Sequence, residues 1–278
     1  MPTYKELLNC LTNKFKEAGI HEFESDAWLL FEEAYSLSRS DYIIRMNDTA
    51  PENPALEGFA NRRLEGVPVQ YITGKAYFMG YTFNVDENVL IPRFDTEIIV
   101  DAVYRRCTQN AAILDMCTGS GCIIISLAKL LNDGVYVGAD ISGKALTVAF
   151  KNAEALKARN TTFIQSDMFE NVTGKYDVIV SNPPYIRTEV IDTLDREVKG
   201  FEPHLALDGG ADGLDFYRIL SDNAKNFLNE KGILAVEIGF DQGKSVSELF
   251  NETGFENVEI IKDLAGLDRV VIGNIGGK

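Results

Sequence analysis

The sequence predicts an α/β protein whose mostly parallel, doubly wound sheet follows a small bundle of helices. Apolar residues repeat at helical spacing through residues 1–72, whereas from residue 95 onward short apolar runs typical of buried strands alternate with helical patterns. Between them, the alternation at residues 76–91 predicts a β-hairpin. We therefore expect a helical domain at residues 1–73, a hairpin linker at 74–91 and a main domain at 92–278.

The helical domain opens with the signature of a capping box. Thr3 and Glu6 have the spacing at which each side chain satisfies the other residue's backbone N–H group, and Gly19 predicts the end of this first helix. A second helix is expected to begin after Ser25 and Asp26. Its apolar stripe consists of Ala27, Leu30, Phe31 and Ala34.

Strands and helices are predicted in alternation through the main domain. In a doubly wound sheet of this kind, the fourth strand lies beside the first, at the point where the strand order reverses. The expected strands are residues 111–116, 135–139, a short segment ending at 165, 176–181, 233–237 and 269–273, with helices at 121–131 and 143–158.

Composition narrows the class of protein. A chain of 278 residues, 45% of them hydrophobic, can bury a full core and is long enough for a main domain and a smaller domain. A net charge of −15 opposes attraction to nucleic-acid phosphates, so no direct nucleic-acid partner is expected. Four cysteines without a C-x-x-C pair and only two histidines argue against a metal site or disulfide framework. Without a signal-peptide core or a membrane-length apolar run, we expect a reduced, cytoplasmic protein with no membrane partner.

A glycine-containing turn follows the first strand of the main domain. This turn, Cys117-Thr118-Gly119-Ser120-Gly121, lets a ligand approach the backbone closely before the next helix begins. The next strand ends at Asp140, whose carboxylate can accept both ribose hydroxyl hydrogens. Ile124 stands where a dinucleotide fingerprint has a third glycine, which favours S-adenosylmethionine. Asp167 can accept from an adenine amino group, although this position is equally typical of a helix cap.

The segment Asn182-Pro183-Pro184-Tyr185 ends a buried strand abruptly. Two prolines donate no backbone hydrogen bonds and force an extended path, so the carbonyls near Asn182 and Pro183 point into a cleft beside the Gly119 turn. The Asn182 side-chain oxygen and the Pro183 carbonyl can each accept one N–H of an amide, which turns the nitrogen lone pair toward the sulfonium methyl. Tyr185 can stack on the planar group. We expect methyl transfer to a planar amide nitrogen without a strong general base.

Segments spread over essentially the whole chain resemble one family in order and in sequence. They are Val69-Gln70-Tyr71-Ile72-Thr73-Gly74, Ile91-Pro92-Arg93-Phe94-Asp95-Thr96-Glu97, Gly119-Ser120-Gly121, Asn182-Pro183-Pro184-Tyr185-Ile186, Phe201-Glu202-Pro203 with Ala206-Leu207, and Glu237-Ile238-Gly239. The chain is identified by this resemblance as a member of the release factor glutamine methyltransferases, the HemK or PrmC proteins.

The resemblance implies a Rossmann-like, S-adenosylmethionine-dependent methyltransferase domain that leaves S-adenosylhomocysteine as product. It implies as substrate the N5 side-chain amide of the glutamine in the Gly-Gly-Gln loop of class 1 peptide chain release factors. It also implies that the N-terminal domain grips the release factor.

Carried over by position, the resemblance implies cofactor contacts for Cys117 through Gly121, Asp140, Met168 and Asn182. It implies glutamine contacts for Asn182 through Tyr185. Three positions depart from the family's usual residues: Cys117 replaces a glycine, Phe94 a proline, and Met168 an aromatic residue that would flank the adenine. Met168 can still pack on a ring through its thioether.

Other readings of the sequence stay open. Asn-Pro-Pro-Tyr also resembles adenine-N6 DNA and guanine-N2 rRNA methyltransferases, against which the charge of −15 weighs. A non-catalytic cofactor-binding partner of the ribosomal machinery is a second alternative, but it would give Asn182 and Tyr185 no function. A third is an oxidoreductase, which would be expected to have the third glycine of the dinucleotide fingerprint where this chain has Ile124. The N-terminal helices could also be only a stabilising cap, because their apolar stripes would look the same.

Overall fold

The structure, a computed structural model, describes residues 1–276 and divides into two compact units. The first unit is Met1–Lys75 together with the helical segment Arg196–Phe201. The second is Ala76–Asp195 together with the described residues from Glu202 onward. None of the helices in residues 1–276 combines the length and the apolar character needed to cross a bilayer.

The first unit begins with the capping box that the sequence predicts. The Thr3 hydroxyl accepts from the Glu6 backbone N–H at 3.2 Å, and the Thr3 N–H donates to the Glu6 carboxylate at 2.8 Å. The first helix ends just before Gly19, whose φ is +75°. The helices at the N-terminus are α1 (Tyr4–Glu17), α2 (Phe23–Tyr35), α3 (Arg39–Arg45), α4 (Pro54–Leu64) and α5 (Val69–Thr73).

The apolar stripe of α2 lies at the centre of this unit. Ala27, Leu30 and Phe31 have no exposed surface, and Phe15 of α1 packs in the same cluster as Ala27 and Leu30. Burying each of the larger side chains contributes about 1.5–3 kcal/mol. The predicted helical bundle is therefore confirmed.

The predicted start of α2, after Ser25 and Asp26, was wrong by about one turn. Helix α2 begins at Phe23, and Asp26 lies inside it with 4% of its surface exposed. The Asp26 carboxylate accepts from Arg63 Nε at 2.6 Å, and Arg63 also donates to Glu197 at 2.5 Å. A residue that resembled a helix cap is thus half of a buried ion pair, which only the packing of α2 against α4 reveals.

The predicted β-hairpin is present but shorter than residues 76–91. Strands β1 (Lys75–Phe78) and β2 (Tyr81–Asn84) form a two-stranded sheet, joined by Met79 and Gly80, which both have positive φ. Such a two-residue turn matches the twist of the strands. The second strand stops early because the Asp86 carboxylate accepts from the Asn88 backbone N–H at 2.9 Å and starts a turn.

A seven-stranded sheet forms the second unit. Its strands are β3 (Ala112–Met116), β4 (Val135–Asp140), β5 (Thr161–Gln165), β6 (Tyr176–Ser181), β7 (Leu228–Glu237), β8 (Glu256–Lys262) and β9 (Asp268–Asn274). They lie in the order β5-β4-β3-β6-β7-β9-β8, with all pairs from β5 to β7 parallel and with β9 antiparallel to both neighbours. The fourth strand, β6, lies beside β3, which confirms the predicted doubly wound sheet.

Helices cover both faces of this sheet. The remaining α-helices in residues 1–276 are α6 (Glu97–Tyr104), α7 (Cys122–Leu131), α8 (Gly143–Ala155), α9 (Thr188–Ile191), α10 (Arg196–Phe201, in the first unit), α11 (Asp215–Asn223) and α12 (Gly243–Glu252). Alternate residues of one strand pack on opposite faces of the sheet: Ile113 packs with α6 and α7, whereas its neighbour Leu114 packs with α11 and α12.

The sequence did not predict strand β8. This strand pairs antiparallel with β9 at the edge of the sheet, and Glu256, Glu259 and Lys262 are exposed along it. An edge strand with polar residues resists pairing with other chains, but the same residues interrupt the apolar pattern that identifies a strand.

Candidate active site

The carboxyl ends of β3, β4 and β6 meet at one cavity. Both neighbours of β3 run parallel to it, so the residues that follow these strands lie at the same edge of the sheet. The cavity has a volume of about 190 Å³. The predicted site residues on its wall are Cys117, Thr118, Gly119, Ser120, Asp140, Asp167, Met168, Asn182 and Pro184.

The turn after β3 has a backbone suited to close approach by a ligand. Gly119 has a φ of +55°, and a Cβ added there would meet no protein atom within 4 Å. At Gly121 an added Cβ would lie 2.9 Å from Ile125 and 3.2 Å from Ala149, so that glycine is required by packing. Gly121 itself is not among the described residues that line the cavity.

Cys117 occupies a conformation that favours glycine. Its φ is +61°, which costs a residue with a side chain about 1–2 kcal/mol, whereas glycine adopts this conformation at no steric cost. Burial raises the pKa of the Cys117 thiol well above its ordinary value, with Asp140 adding to the effect. The thiol therefore stays protonated at neutral pH and acts as a small packed group.

Asp140 is held at the end of β4 by the backbone. Its two carboxylate oxygens accept from the Gly119 N–H at 2.9 Å and from the Ser142 N–H at 2.9 Å. Burial raises the pKa of Asp140, and these backbone donors oppose the increase. Each oxygen keeps a second lone pair for a ligand hydroxyl.

The segment after β5 is also fixed. The Ser166 hydroxyl donates to the Met168 carbonyl at 2.6 Å and accepts from the Asn171 N–H at 3.0 Å. Met168 adopts a φ of +43° and is 8% exposed, and Asp167 and Met168 both line the cavity. The structure thus brings together the predicted residues that follow three neighbouring strands.

The Asn-Pro-Pro-Tyr segment leaves β6 at the same edge. Ser181 Oγ donates to the Met116 carbonyl at 2.7 Å and ties the end of β6 to β3. The Asn182 side-chain nitrogen donates to the Thr96 hydroxyl at 3.3 Å. Asn182 and Pro184 line the cavity, whereas Pro183 and Tyr185 are not among the described residues on its wall.

A buried polar cluster lies next to this segment. The Tyr185 hydroxyl donates to Glu237 Oε1 at 3.4 Å, and the Tyr217 hydroxyl donates to the Glu237 backbone carbonyl at 2.9 Å. Only 1% of Glu237 is exposed, and this burial raises its pKa to about 7, while Thr96 and Arg269 act in the opposite direction. Burial also raises the pKa of Tyr185, so its hydroxyl stays a donor.

Sequence reasoning did not assign a role to the rest of the cavity wall. Thr96 and Arg93, which line the cavity, had been noticed only inside a family-like segment. Glu237, in the neighbouring cluster, had been noticed only inside such a segment and as the end of a predicted strand. An acid at the carboxyl end of a buried strand was the available signal for Glu237. The other unassigned lining residues are Asn88, Val89, Leu90, Pro92, Met116, Cys122, Ile123, Ile141, Ser142, Ala145, Ser166, Pro203, Leu205, Ala206 and Phe216.

The parallel sheet and the cavity at its carboxyl edge define a Rossmann-like fold with a ligand site, and comparison with other proteins identifies the chain as a methyltransferase. Residues 93–210 match the family model described as the Methyltransferase small domain, and residues 6–74 match the PrmC N-terminal domain. A crystal structure of a methyltransferase from Pyrococcus furiosus aligns with a TM-score of 0.56 at 19% identity, covering 72% of this chain and 91% of that one. This likeness shows the fold.

Sequence relatives identify the family. The chain is 41% identical to the release factor glutamine methyltransferase of Geobacter sulfurreducens over 99% of this chain and 97% of the relative. It is 40% identical to that of Agrobacterium fabrum, over 93% and 92% of the two chains. The chain belongs to the release factor glutamine methyltransferase family, as its segments had indicated.

Proposed function

We propose that this protein transfers a methyl group from S-adenosylmethionine to the side-chain amide nitrogen N5 of the glutamine in the Gly-Gly-Gln loop of class 1 peptide chain release factors, and so modulates translation termination. Membership of the family supports the reaction. The structural observation that carries it is the position of Asn182 on the wall of the cavity that Gly119 and Asp140 also line.

The residues on the wall fit S-adenosylmethionine. The backbone of Cys117 through Gly121 is open to close approach at Gly119, and Asp140 can accept from two ribose hydroxyls. Asp167 and Met168 are proposed to contact the adenine through a carboxylate and a thioether. When bound, the cofactor supplies an electrophilic methyl group and leaves S-adenosylhomocysteine.

Asn182 and Pro183 are proposed to hold the acceptor amide. An amide nitrogen is a poor nucleophile because its lone pair is delocalised into the carbonyl. The Asn182 side-chain oxygen and the Pro183 carbonyl can each accept one N–H and fix the amide plane. Their dipoles also stabilise the positive charge that develops on nitrogen, and the product nitrogen then loses a proton readily, so a strong base is not needed.

Pro184 and Tyr185 complete the proposed substrate site. Pro184 contributes to the cavity wall, and the Tyr185 hydroxyl is anchored on Glu237, which restricts the position of its ring. Stacking of this ring on the planar amide stays a prediction. We assign Asn182, Pro183 and Tyr185 to catalysis and Asn182 through Tyr185 to substrate binding.

The N-terminal domain, residues 1–73, is proposed to recognise the release factor, and residues 74–91 to link it to the methyltransferase domain at 92–278. The match of residues 6–74 to the PrmC N-terminal domain supports this role. A partner in translation would place the protein in the cytoplasm. An amino-methyltransferase acting on adenine or guanine in nucleic acid is the second candidate, which the charge of −15 disfavours.

Incubation with S-adenosylmethionine and an unmethylated class 1 release factor tests the proposal. Mass spectrometry should find the mass of one CH₂ added at the glutamine of the Gly-Gly-Gln loop. A release factor with Gln→Asn at that position is the matched control and should gain nothing. Methylation of duplex DNA or ribosomal RNA in place of the release factor would contradict the proposal.

A further inference from the structure

The loop at residues 207–213 pairs with the backbone that follows the Asn-Pro-Pro-Tyr segment. The Ile186 N–H donates to the Leu207 carbonyl at 3.0 Å, and the Gly209 N–H donates to the Ile186 carbonyl at 2.8 Å. Both hydrogen-bonding groups of Ile186 are therefore occupied by this loop. The chain that leaves the segment is fixed immediately after Tyr185.

Two glycines of the loop lie directly against the segment itself. A Cβ added at Gly209 would lie 2.7 Å from Tyr185 Cα and 2.9 Å from the Pro184 carbonyl oxygen. A Cβ added at Gly213 would lie 2.5 Å from the Tyr185 carbonyl oxygen and 2.8 Å from Gln242 Nε2. Non-bonded carbon atoms prefer separations of about 3.5–4 Å, so any side chain at either position would displace the segment.

Gln242 joins the loop to the segment through its side-chain amide. The residue is 4% exposed, and its Nε2 donates to the Tyr185 carbonyl at 3.0 Å and to the Gly213 carbonyl at 3.1 Å. Its Oε1 accepts from the Gly239 N–H at 2.9 Å. A backbone carbonyl only accepts and a backbone N–H only donates, so these three partners admit one orientation of the amide.

We propose that Gln242 and Gly213 are positioning residues, which fix the Tyr185 carbonyl and thereby hold Asn182 through Tyr185 in place for methyl transfer. Neither residue is among the described residues that line the cavity, so both act through the segment. This inference rests on the proposed function and deepens it.

The two prolines make the segment a stiff connection between its ends. Each proline ring fixes its own φ, so a displacement at Tyr185 is carried along the backbone toward Asn182. At the other end, Ser181 Oγ donates to the Met116 carbonyl at 2.7 Å. The segment is therefore anchored on both sides of the residues proposed to hold the acceptor amide.

The first test is Gln242→Met, which keeps a side chain of similar length but removes its donors and its acceptor. Two buried carbonyls and one N–H then lose their partner, and the segment should move. Because a displacement of about 1 Å can cost about a hundredfold in rate, kcat should fall by roughly tenfold or more. The Kd for S-adenosylhomocysteine should stay within about threefold, since Gln242 is not on the cavity wall.

Calorimetric stoichiometry separates a displaced segment from a loss of folded protein. Displacement leaves one binding site per chain, and the rate per binding site falls. Gln109→Met, at an exposed position, is the matched control and should keep the wild-type rate. A wild-type rate per binding site in Gln242→Met would overturn the proposal, whether or not fewer chains were folded.

The second test compares Gly213→Ala with Gly266→Ala. Both glycines have a positive φ, +74° and +82°, so alanine strains the two backbones similarly. A Cβ at Gly266 would meet nothing within 4 Å, whereas at Gly213 it would meet the Tyr185 carbonyl and Gln242. The rate per binding site should fall roughly tenfold or more in Gly213→Ala and stay unchanged in Gly266→Ala. Equal rates in the two variants would contradict the inference.

A readout independent of turnover separates this inference from the proposed function. The side-chain amide signals of Asn182 in a ¹H–¹⁵N NMR spectrum can be assigned by their loss in Asn182→Ala. They should shift in Gln242→Met and in Gly213→Ala but not in the two control variants. If they shift although the wild type methylates no release factor, the proposed function fails and the positioning role stands. If they stay in place in either Gln242→Met or Gly213→Ala, the positioning role fails whatever the substrate.

Discussion

Asn182 is the residue on which the proposed chemistry depends most directly, because its oxygen would accept one N–H of the substrate amide. Removing one preorganised hydrogen-bonding group from a transition state typically costs about 3 kcal/mol, or about a hundredfold in rate. Asn182→Ala should therefore lose about a hundredfold in single-turnover methylation. Its affinity for S-adenosylmethionine, measured by calorimetry, should stay within several-fold of the wild type.

The control for this substitution is Asn251→Ala, at an exposed position where the side chain donates to the Ser247 carbonyl. It should leave both the rate and the affinity unchanged. Wild-type turnover in Asn182→Ala would remove Asn182 from the reaction.

The site residues that could be predicted from the sequence are those at the end of a strand or in the turn that follows it. Gly119, Asp140 and Asn182 follow neighbouring strands, and the rule that parallel strands end at one edge of the sheet brings them together. Thr96 and Asn182 come from segments far apart in the chain and are brought together by packing, which no local pattern encodes. Their hydrogen bond, at 3.3 Å, therefore needed coordinates.

Among the helices, the contact between α2 and α4 has the clearest energetic consequence. Arg63 and Asp26 are each 4% exposed and joined at 2.6 Å. Burial raises the pKa of Asp26 even though the Arg63 hydrogen bond opposes it, so the carboxylate depends on its partner. Arg63→Met should lower the free energy of unfolding of this unit by about 3–5 kcal/mol, because it leaves a buried charge unpaired.

Fluorescence of Trp28 during urea unfolding measures this effect. Trp28 is the one tryptophan of the chain, lies in α2 and is 7% exposed, so it reports on the helical unit. The double variant Asp26→Leu with Arg63→Met should recover most of the loss, since both buried charges are then removed and the second partner of Arg63, Glu197, is 41% exposed to water. Lys75→Met, which breaks a partly exposed pair with Glu33, should cost at most about 1 kcal/mol. A loss in Arg63→Met no larger than in Lys75→Met would refute the account.

Elements were predictable from the sequence where one physical signal dominated. The capping box at Thr3 and the strand at Tyr176–Ser181 were both found, because a cap and a fully buried apolar run are local signals. The start of α2 and strand β8 were missed for tertiary reasons. Asp26 pairs with a side chain of another helix, and β8 is stabilised by β9 at an exposed edge.

At the scale of the whole molecule, the fold buries an acidic residue, Asp115, whose ionised form is unfavourable away from water. The chain carries 42 acidic residues, nearly all of which can stay in water, but Asp115 has no exposed surface at the centre of the sheet. Its Oδ2 accepts from the Thr118 hydroxyl at 2.6 Å, and its Oδ1 is buried without a hydrogen-bond partner in residues 1–276. Burial is the main reason that the pKa of Asp115 is raised from 3.8 to about 7.

Stability should therefore depend on pH through Asp115 in a definite direction. An acid whose folded pKa lies above its unfolded pKa binds its proton more tightly in the folded state, so its contribution is complete below about pH 4 and is lost as the pH rises through about 7. Asp115→Asn removes this dependence. The free energy of unfolding of the variant minus that of the wild type should rise between pH 4 and pH 8 by up to about 4 kcal/mol. Urea unfolding followed by circular dichroism measures the free energy of unfolding of both proteins, with Asp133→Asn, at an exposed position, as control. If the difference between variant and wild type does not change with pH, Asp115 is equally ionised in the folded and unfolded states. If the difference falls as the pH rises, the pKa of Asp115 is lowered by folding, which contradicts the effect expected from its burial.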